Sequence, residues 1–298
     1  MAVSGYVMQL QPFSVNDGNG IRTTIFLAGC PLRCKWCSNP EGMSGKVLTG
    51  WYEKKCTGCG ACAVVCPEHI GISLNQNREH CIGCGKCIMV CPAGARTRMV
   101  SLADADDMIS DLQKDEIFYH YSGGGVTFSG GEATAQPAFL DYLSSALYDR
   151  NISMALETCG YFDFEKVRKI LERMDLIFMD LKLFDDARHR KYTGVSNKRI
   201  LENIVHLAEI PSKAVIRIPV IGGVNNDEEN IRLSARYVHE NLPKAKMELL
   251  PYHKLGTVKY DAIGMPCPPE EFYRPSAEEL EHLKSIVKSE GAELEDFR

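Results

Sequence analysis

No run of lysines and arginines, no basic tail and no long apolar stretch occurs in this 298-residue chain, and each absence removes a class of function. A formal charge of −5 and a pI near 5.9 offer no cationic surface to phosphate backbones or anionic headgroups, so neither a nucleic acid nor a membrane is the expected partner. No uninterrupted apolar run approaches the roughly 18 residues that a membrane span needs. Residues 1–15 lack a charged segment followed by an apolar one, so no export signal is read and the expected location is the cytoplasm. Gly123, Gly124 and Gly125 are not followed by Gly-Lys-Ser/Thr, which removes a phosphate loop.

Cysteine is what the chain has in excess: 13 residues, eleven of them between positions 30 and 91. A disulfide scaffold spreads its cysteines among loops that need stapling, whereas three tight clusters without an export signal point to metal. The hydrophobic content of 45% is enough to bury a sizeable core, as one large domain or as one domain carrying an insertion.

The first cluster is Cys30-x3-Cys34-x2-Cys37. Three thiolates leave a tetrahedral zinc site unfinished unless a distant His or Cys completes it. A four-iron cubane held by three thiolates instead leaves one iron open, and an open metal can bind a substrate. The β-branched and aromatic run Thr23 to Leu27 predicts a strand leading into Gly29 and Cys30. That places the triad on the loop at a strand's C-terminal end, where parallel α/β folds build their sites.

The other two clusters are one run repeated at a period of 25 residues: Cys56-x2-Cys59-x2-Cys62-x3-Cys66-Pro67 and Cys81-x2-Cys84-x2-Cys87-x3-Cys91-Pro92. This is the spacing of bacterial two-cluster ferredoxins, in which the fourth cysteine of each run ligates the other cluster. The implied sets are Cys56, Cys59, Cys62 with Cys91, and Cys81, Cys84, Cys87 with Cys66. Zinc ribbons also use eight thiolates, but prefer C-x2-C pairs separated by a longer loop. Residues 51–99 are therefore expected to form an inserted ferredoxin-like domain of low secondary-structure content.

Beyond it the pattern alternates. A helix capped around Ser101 to Asp104 and running to about Phe118 precedes a strand at Val126 to Phe128, a helix at Pro137 to Tyr148 and a strand at Ile152 to Leu156. A helix near Phe164 to Glu172, a strand at Leu176 to Met179, helical segments from Ala187 to His206 and a strand at Ala214 to Val220 follow. Helix Glu228 to Asn241, strand Met247 to Leu250 and a last helix opened by the capping box Ser276 to Glu279 complete about six strand-helix units. Periodicity leaves a doubly wound sheet and a partial barrel equally compatible.

The stretch Gly18-x-Gly20-Ile21-Arg22-x3-Phe26-x2-Gly29-Cys30-x3-Cys34-x2-Cys37-x-Asn39 resembles the signature of the radical S-adenosylmethionine enzymes that activate glycyl radical enzymes. Most of the chain follows that family's layout, including the eight-cysteine insertion carried by a subset. The resemblance implies a partial (β/α)6, TIM-like barrel in two parts, residues 1–50 and 100–298, around the ferredoxin-like insertion at 51–99. It further implies three 4Fe-4S clusters, S-adenosylmethionine chelated by the iron that Cys30, Cys34 and Cys37 leave open, and reductive cleavage to a 5'-deoxyadenosyl radical. That radical would abstract hydrogen from a glycine Cα of a partner glycyl radical enzyme. Because the insertion is absent from the activase of pyruvate formate-lyase, the implied partner is another member: a dehydratase, a carbon-nitrogen or carbon-sulfur lyase, or an arylacetate decarboxylase. A flavodoxin or ferredoxin would donate the low-potential electron.

By the same resemblance, Ser129-Gly130-Gly131-Glu132 binds the methionyl amine, and Glu157, Thr158 and Asp180 hold a monovalent cation. Glu157 stands where the family usually has Asp. Lys182 would contact the cofactor's ribose or carboxylate, Arg217 its carboxylate, His253 the adenosyl group and Trp36 the adenine, with Asn39 counted among the cofactor-binding residues. Asp17 is expected to meet the incoming glycine loop, and Arg22 to order the segment before it. Cys159 and Cys267 are read as packing or surface thiols. Two other readings are a radical enzyme acting on a small molecule with auxiliary clusters, and a non-catalytic iron-sulfur carrier.

Overall fold

A computed structural model describes residues 2–295. Ten strands form one sheet: β1 (Ser4–Ser14), β2 (Arg22–Leu27), β3 (Leu48–Trp51), β4 (Arg96–Asp104), β5 (Gly125–Gly130), β6 (Ser153–Thr158), β7 (Leu176–Asp180), β8 (Lys213–Val220), β9 (Lys246–Pro251) and β10 (Glu293–Leu294). Their spatial order is β10-β9-β8-β7-β6-β5-β2-β1-β4-β3. From β2 to β10 every pairing is parallel, while β1 runs antiparallel to both β2 and β4, and β3 antiparallel to β4. The result is an α/β fold on an open sheet of mainly parallel strands.

The parallel strands put opposite chemistry on their two faces. Met154, Leu156, Ile177, Met179, Ile216, Ile218, Met247 and Leu249 point into the main core beneath the helices. Alternate residues point the other way, where Ala155, Leu176, Phe178 and Val215 make a small separate apolar cluster. Further along the same alternation stand Ser129, Glu157, Asp180, Arg217 and Glu248, because side chains two apart on a strand share a face.

Helices Pro137–Tyr148 and Glu228–Asn241 and the capping box on Ala277–Ser289 match the sequence reading. Three differences have physical causes. β1 is not foreshadowed, since its run of Gln9, Gln11 and Pro12 has little apolar alternation and much of the strand is exposed. The helix expected to open at Ser101 begins at Ala105: Ser101 to Ala103 belong to β4, and the Asp104 carboxylate caps the helix by accepting from the Asp106 and Asp107 amides. A helix at Thr257–Ile263 was not read, its seven residues being too few to show a period.

Between β3 and β4 the chain is largely loop, with one-turn helices Ala61–Val64 and Lys86–Met89. The sequence repeat is also a conformational repeat. Gly58 and Gly83 (φ 73° and 68°), and Gly60 and Gly85 (φ 77° and 80°), flank Cys59 and Cys84 in the left-handed region that glycine enters without a Cβ penalty.

Candidate functional site

The residues singled out from the sequence gather at one end of the parallel sheet: Cys30 to Cys37 follow β2, Ser129 to Glu132 close β5, Glu157 and Thr158 close β6, Asp180 and Lys182 close β7, and His253 follows β9. Arg217 comes from the middle of β8 and reaches its neighbours through the polar face of the sheet.

The three-cysteine loop is held from several sides. Gly29, at φ 93°, donates to Gly42 O at 2.8 Å. The Arg33 and Lys35 amides donate to Thr193 O and Tyr192 O at 2.7 and 3.0 Å, and Tyr260 Oη to Cys37 O at 2.8 Å. Gln136 clips the strand before the loop, its amide nitrogen donating to Tyr6 O and Ala28 O at 2.7 and 2.8 Å. Burial pushes the Cys34 thiol up to about 12 and the Cys37 thiol up to about 11. The Cys30 thiol is shifted down instead, first by a hydrogen bond with Cys159, which is correspondingly raised. Cys159 is thus a buried neighbour of the triad, whereas Cys267 is exposed. A cavity of about 500 Å³ opens beside Cys30, lined also by Glu132, Thr134, Tyr161 and Phe162.

Glu132 is 1% exposed and fully engaged by the protein. One carboxylate oxygen accepts from Thr134 N, Thr134 Oγ1 and Thr158 Oγ1 at 3.1, 2.7 and 2.9 Å, and the other accepts from Cys159 N at 2.7 Å. The adjoining glycines are required by the chain itself. A Cβ on Gly130 would lie 2.2 Å from Leu27 O, and one on Gly131 2.3 Å from Gly42 O, so both permit close packing against β2 and the cysteine loop.

Glu157 accepts from Ser129 Oγ at 2.5 Å and from Arg217 Nη1 at 2.6 Å, while Arg217 Nε donates to Glu248 at 2.6 Å and the guanidinium lies 3.5 Å from the Phe178 ring centroid. Burial raises the Glu157 pKa against the pull of Arg217. Asp180 pairs with Lys182 at 2.6 Å; burial opposes the ammonium, but Asp180 keeps its pKa above the ordinary lysine value. Of the three residues expected around a cation, Glu157 pairs with Arg217, Thr158 with Glu132 and Asp180 with Lys182. Among the described residues no three His, Cys, Asp or Glu side chains converge as around a single ion.

Trp36 is 6% exposed and packs with Leu183, Ile221, Val224, Tyr252 and Phe272. Asn39 accepts from Lys259 Nζ at 2.7 Å, and the same ammonium meets Glu41 at 2.6 Å. His253 is half-buried. Asp17 accepts from Thr24 Oγ1 at 2.7 Å, and Arg22 orders that segment as expected, donating to Thr127 Oγ1 and Val126 O at 2.7 Å and to Asn19 O at 3.3 Å. Glu248, Gln136 and Lys259 were missed. Glu248 alone carried a signal, a charge inside the apolar run Met247 to Leu250.

In the segment between β3 and β4, the cysteines line two cavities. Cys56, Cys59, Cys62 and Cys91 surround one; Cys66, Cys81, Cys84 and Cys87, with Cys62 at the shared wall, surround the other. Trp51, Ile70, Leu74 and Ala95 pack between Cys56, Cys66, Cys81 and Cys91.

Residues 24–234 match the family model described as the radical SAM superfamily. Over 292 residues the chain is 40% identical to the trans-4-hydroxy-L-proline dehydratase activating enzyme of Clostridioides difficile, covering 95% of this chain and 96% of that protein. It is 37% identical over 292 residues to the choline trimethylamine-lyase activating enzyme of Oleidesulfovibrio alaskensis, with 95% and 94% covered. A radical SAM methyltransferase from Sphaerobacter thermophilus, 14% identical, shares the fold at a TM-score of 0.53 over 96% of this chain and 76% of its own. With a family match across most of its length and near-full-length relatives of this identity, the chain belongs to the radical SAM superfamily and, within it, to the activating enzymes of glycyl radical enzymes.

Proposed function

We propose that this activase uses the Cys30, Cys34 and Cys37 loop to hold its site cluster, and that its protein substrate is a glycyl radical enzyme other than pyruvate formate-lyase. The observation that carries the reading is the incomplete set of three thiols at the C-terminal end of a parallel strand, with Glu132 and Lys182 beside it. The donor chemistry fits a cluster. Cys34 and Cys37 are half-buried thiols whose desolvation resists ionisation, and a bound metal would reverse that preference, because a coordinating thiol is deprotonated outright. When loaded, the cluster supplies the electron that cleaves S-adenosylmethionine to a 5'-deoxyadenosyl radical, which takes hydrogen from the partner's glycine.

The chain's own residues prepare the place for this. The Glu132 carboxylate, held by Thr134, Thr158 and the Cys159 amide, fixes the ends of β5 and β6 against each other beside Cys30. Lys182 and Arg217 bring positive charge to the same wall, each steadied by a carboxylate. We assign the methionyl group to this wall, the adenosyl group to the side of Trp36 and His253, and the glycine loop to the side of Asp17.

Two further assignments belong to this reading. Residues 51–99 form a ferredoxin-like insertion in a partial (β/α)6 barrel, and the two four-cysteine cavities hold one 4Fe-4S cluster each, supported by their donor sets and apolar lining. A flavodoxin or ferredoxin supplies the electron. The relatives named above activate a dehydratase and a carbon-nitrogen lyase, and the partner here is placed in that range of chemistry.

Anaerobic incubation with dithionite and S-adenosylmethionine is expected to yield 5'-deoxyadenosine, abolished in Cys34→Ala. Adding candidate glycyl radical enzymes should produce a glycyl radical signal in electron paramagnetic resonance with one of them. Product without a radical on any such partner, together with turnover of a small molecule, would overturn the partner assignment.

A further inference from the structure

Arg96 opens β4 and is 4% exposed, yet among the described residues no carboxylate pairs with it. Its guanidinium lies 5.4 Å from the Trp51 ring centroid, and Nη2 donates to Ile72 O at 2.5 Å and approaches Cys62 Sγ at 3.6 Å. Nη1 is buried with no hydrogen-bond partner. A buried guanidinium without an anion is strongly disfavoured, so this charge calls for negative charge nearby. Glu68 lines one of the same cavities without pairing with it, and among the described residues the group able to carry negative charge that its hydrogen bonds reach is a thiol, Cys62. Arg96 lines both cysteine cavities, standing where the Cys56, Cys59, Cys62, Cys91 set meets the Cys66, Cys81, Cys84, Cys87 set.

We propose that Arg96 is the shared counter-ion of the two inserted clusters, one guanidinium that sets the reduction potential of both. The inference rests on the assignment of clusters to the two cavities. Reduction adds one electron to a cluster from an external donor such as dithionite, with no bond made or broken. Each cluster then carries one more negative charge, which a fixed cation in a low-dielectric wall stabilises. Without that cation, reduction becomes harder.

The test is anaerobic reconstitution of wild type, Arg96→Lys and Arg96→Gln, with iron content and a redox titration followed by electron paramagnetic resonance. In Arg96→Gln the one-electron reduction of both inserted clusters is expected to be at least tenfold less favourable, about 59 mV. Arg96→Lys, keeping charge without the fork, should fall between, and the site cluster should not shift. Loss of both inserted clusters from Arg96→Gln while Arg96→Lys retains them also supports the shared role. Unmoved potentials in a fully loaded Arg96→Gln, an effect confined to one cluster, or loss of the clusters from Arg96→Lys as well would overturn it. Wild type carrying iron for one cluster only would overturn the assignment of the cavities instead, so the two failures are distinct.

Discussion

Arg217 stands between Glu157 and Glu248, one cation against two carboxylates, and all three are largely withdrawn from water. Removing one member of such a group leaves a buried charge uncompensated, so Arg217→Met is expected to destabilise the protein by about 3–5 kcal/mol. Glu248→Gln keeps an acceptor for Arg217 Nε and should cost less, about 1–3 kcal/mol. Denaturant unfolding under anaerobic conditions, with iron retained, checks the order. Combining Arg217→Met with Glu248→Leu should be milder than Arg217→Met alone; a strictly additive loss would contradict the ion-pair account. Arg217 was visible in the sequence as a charge inside an apolar strand, but its partner was not. Which carboxylate faces it depends on the register that places Arg217 opposite Glu248, and strand pairing across 31 positions leaves no local trace. For the same reason the sequence does not show that Glu157, Thr158 and Asp180, which the family resemblance implies share one cation, pair with three different neighbours.

At the scale of elements, the cysteine loop is shaped by what packs behind it. The approach of Gly131 to Gly42 O allows no side chain, and the contact is backbone against backbone, so nothing flexible can yield. Gly131→Ala is therefore expected to displace the loop and cost the protein the iron of its site cluster while the inserted clusters still load. Iron content equal to that of the wild type would show that the loop tolerates the shift. The parallel strands from β2 to β9 were legible because burial beneath the helices makes their apolar runs plain, whereas the two-residue β10 was too short to show one. β1, β3 and β4 were not, since an antiparallel margin with exposed polar residues carries weak alternation, and the Ser101 to Asp104 cap signal sits at a strand's end as well as a helix's start.

Across the whole molecule, the two cysteine runs were readable as a repeat, and the backbone repeats with them at Gly58 and Gly83 and at Gly60 and Gly85. Cys59 and Cys84 lie exposed at corresponding points of the two repeats. Replacing either with Ala is expected to reduce the rate of glycyl radical formation, or overall stability, while the site cluster still assembles. An undiminished rate with both inserted clusters missing would remove them from the electron route. The insertion is also bolted down at two points. β4 is laced to β1, and β1 to β2, which carries the cysteine loop. On the other side Asn75 donates to Asp261 O at 2.7 Å and Arg78 to Ala262 O at 2.9 Å, on the same helix whose Tyr260 holds Cys37. Tunnelling between redox centres falls off exponentially with separation. On the proposed assignment of clusters to residues 51–99, a segment fastened to a strand ladder on one flank and a helix on the other makes the gap an electron must cross a built-in constant of the fold, with no swinging arm needed to close it.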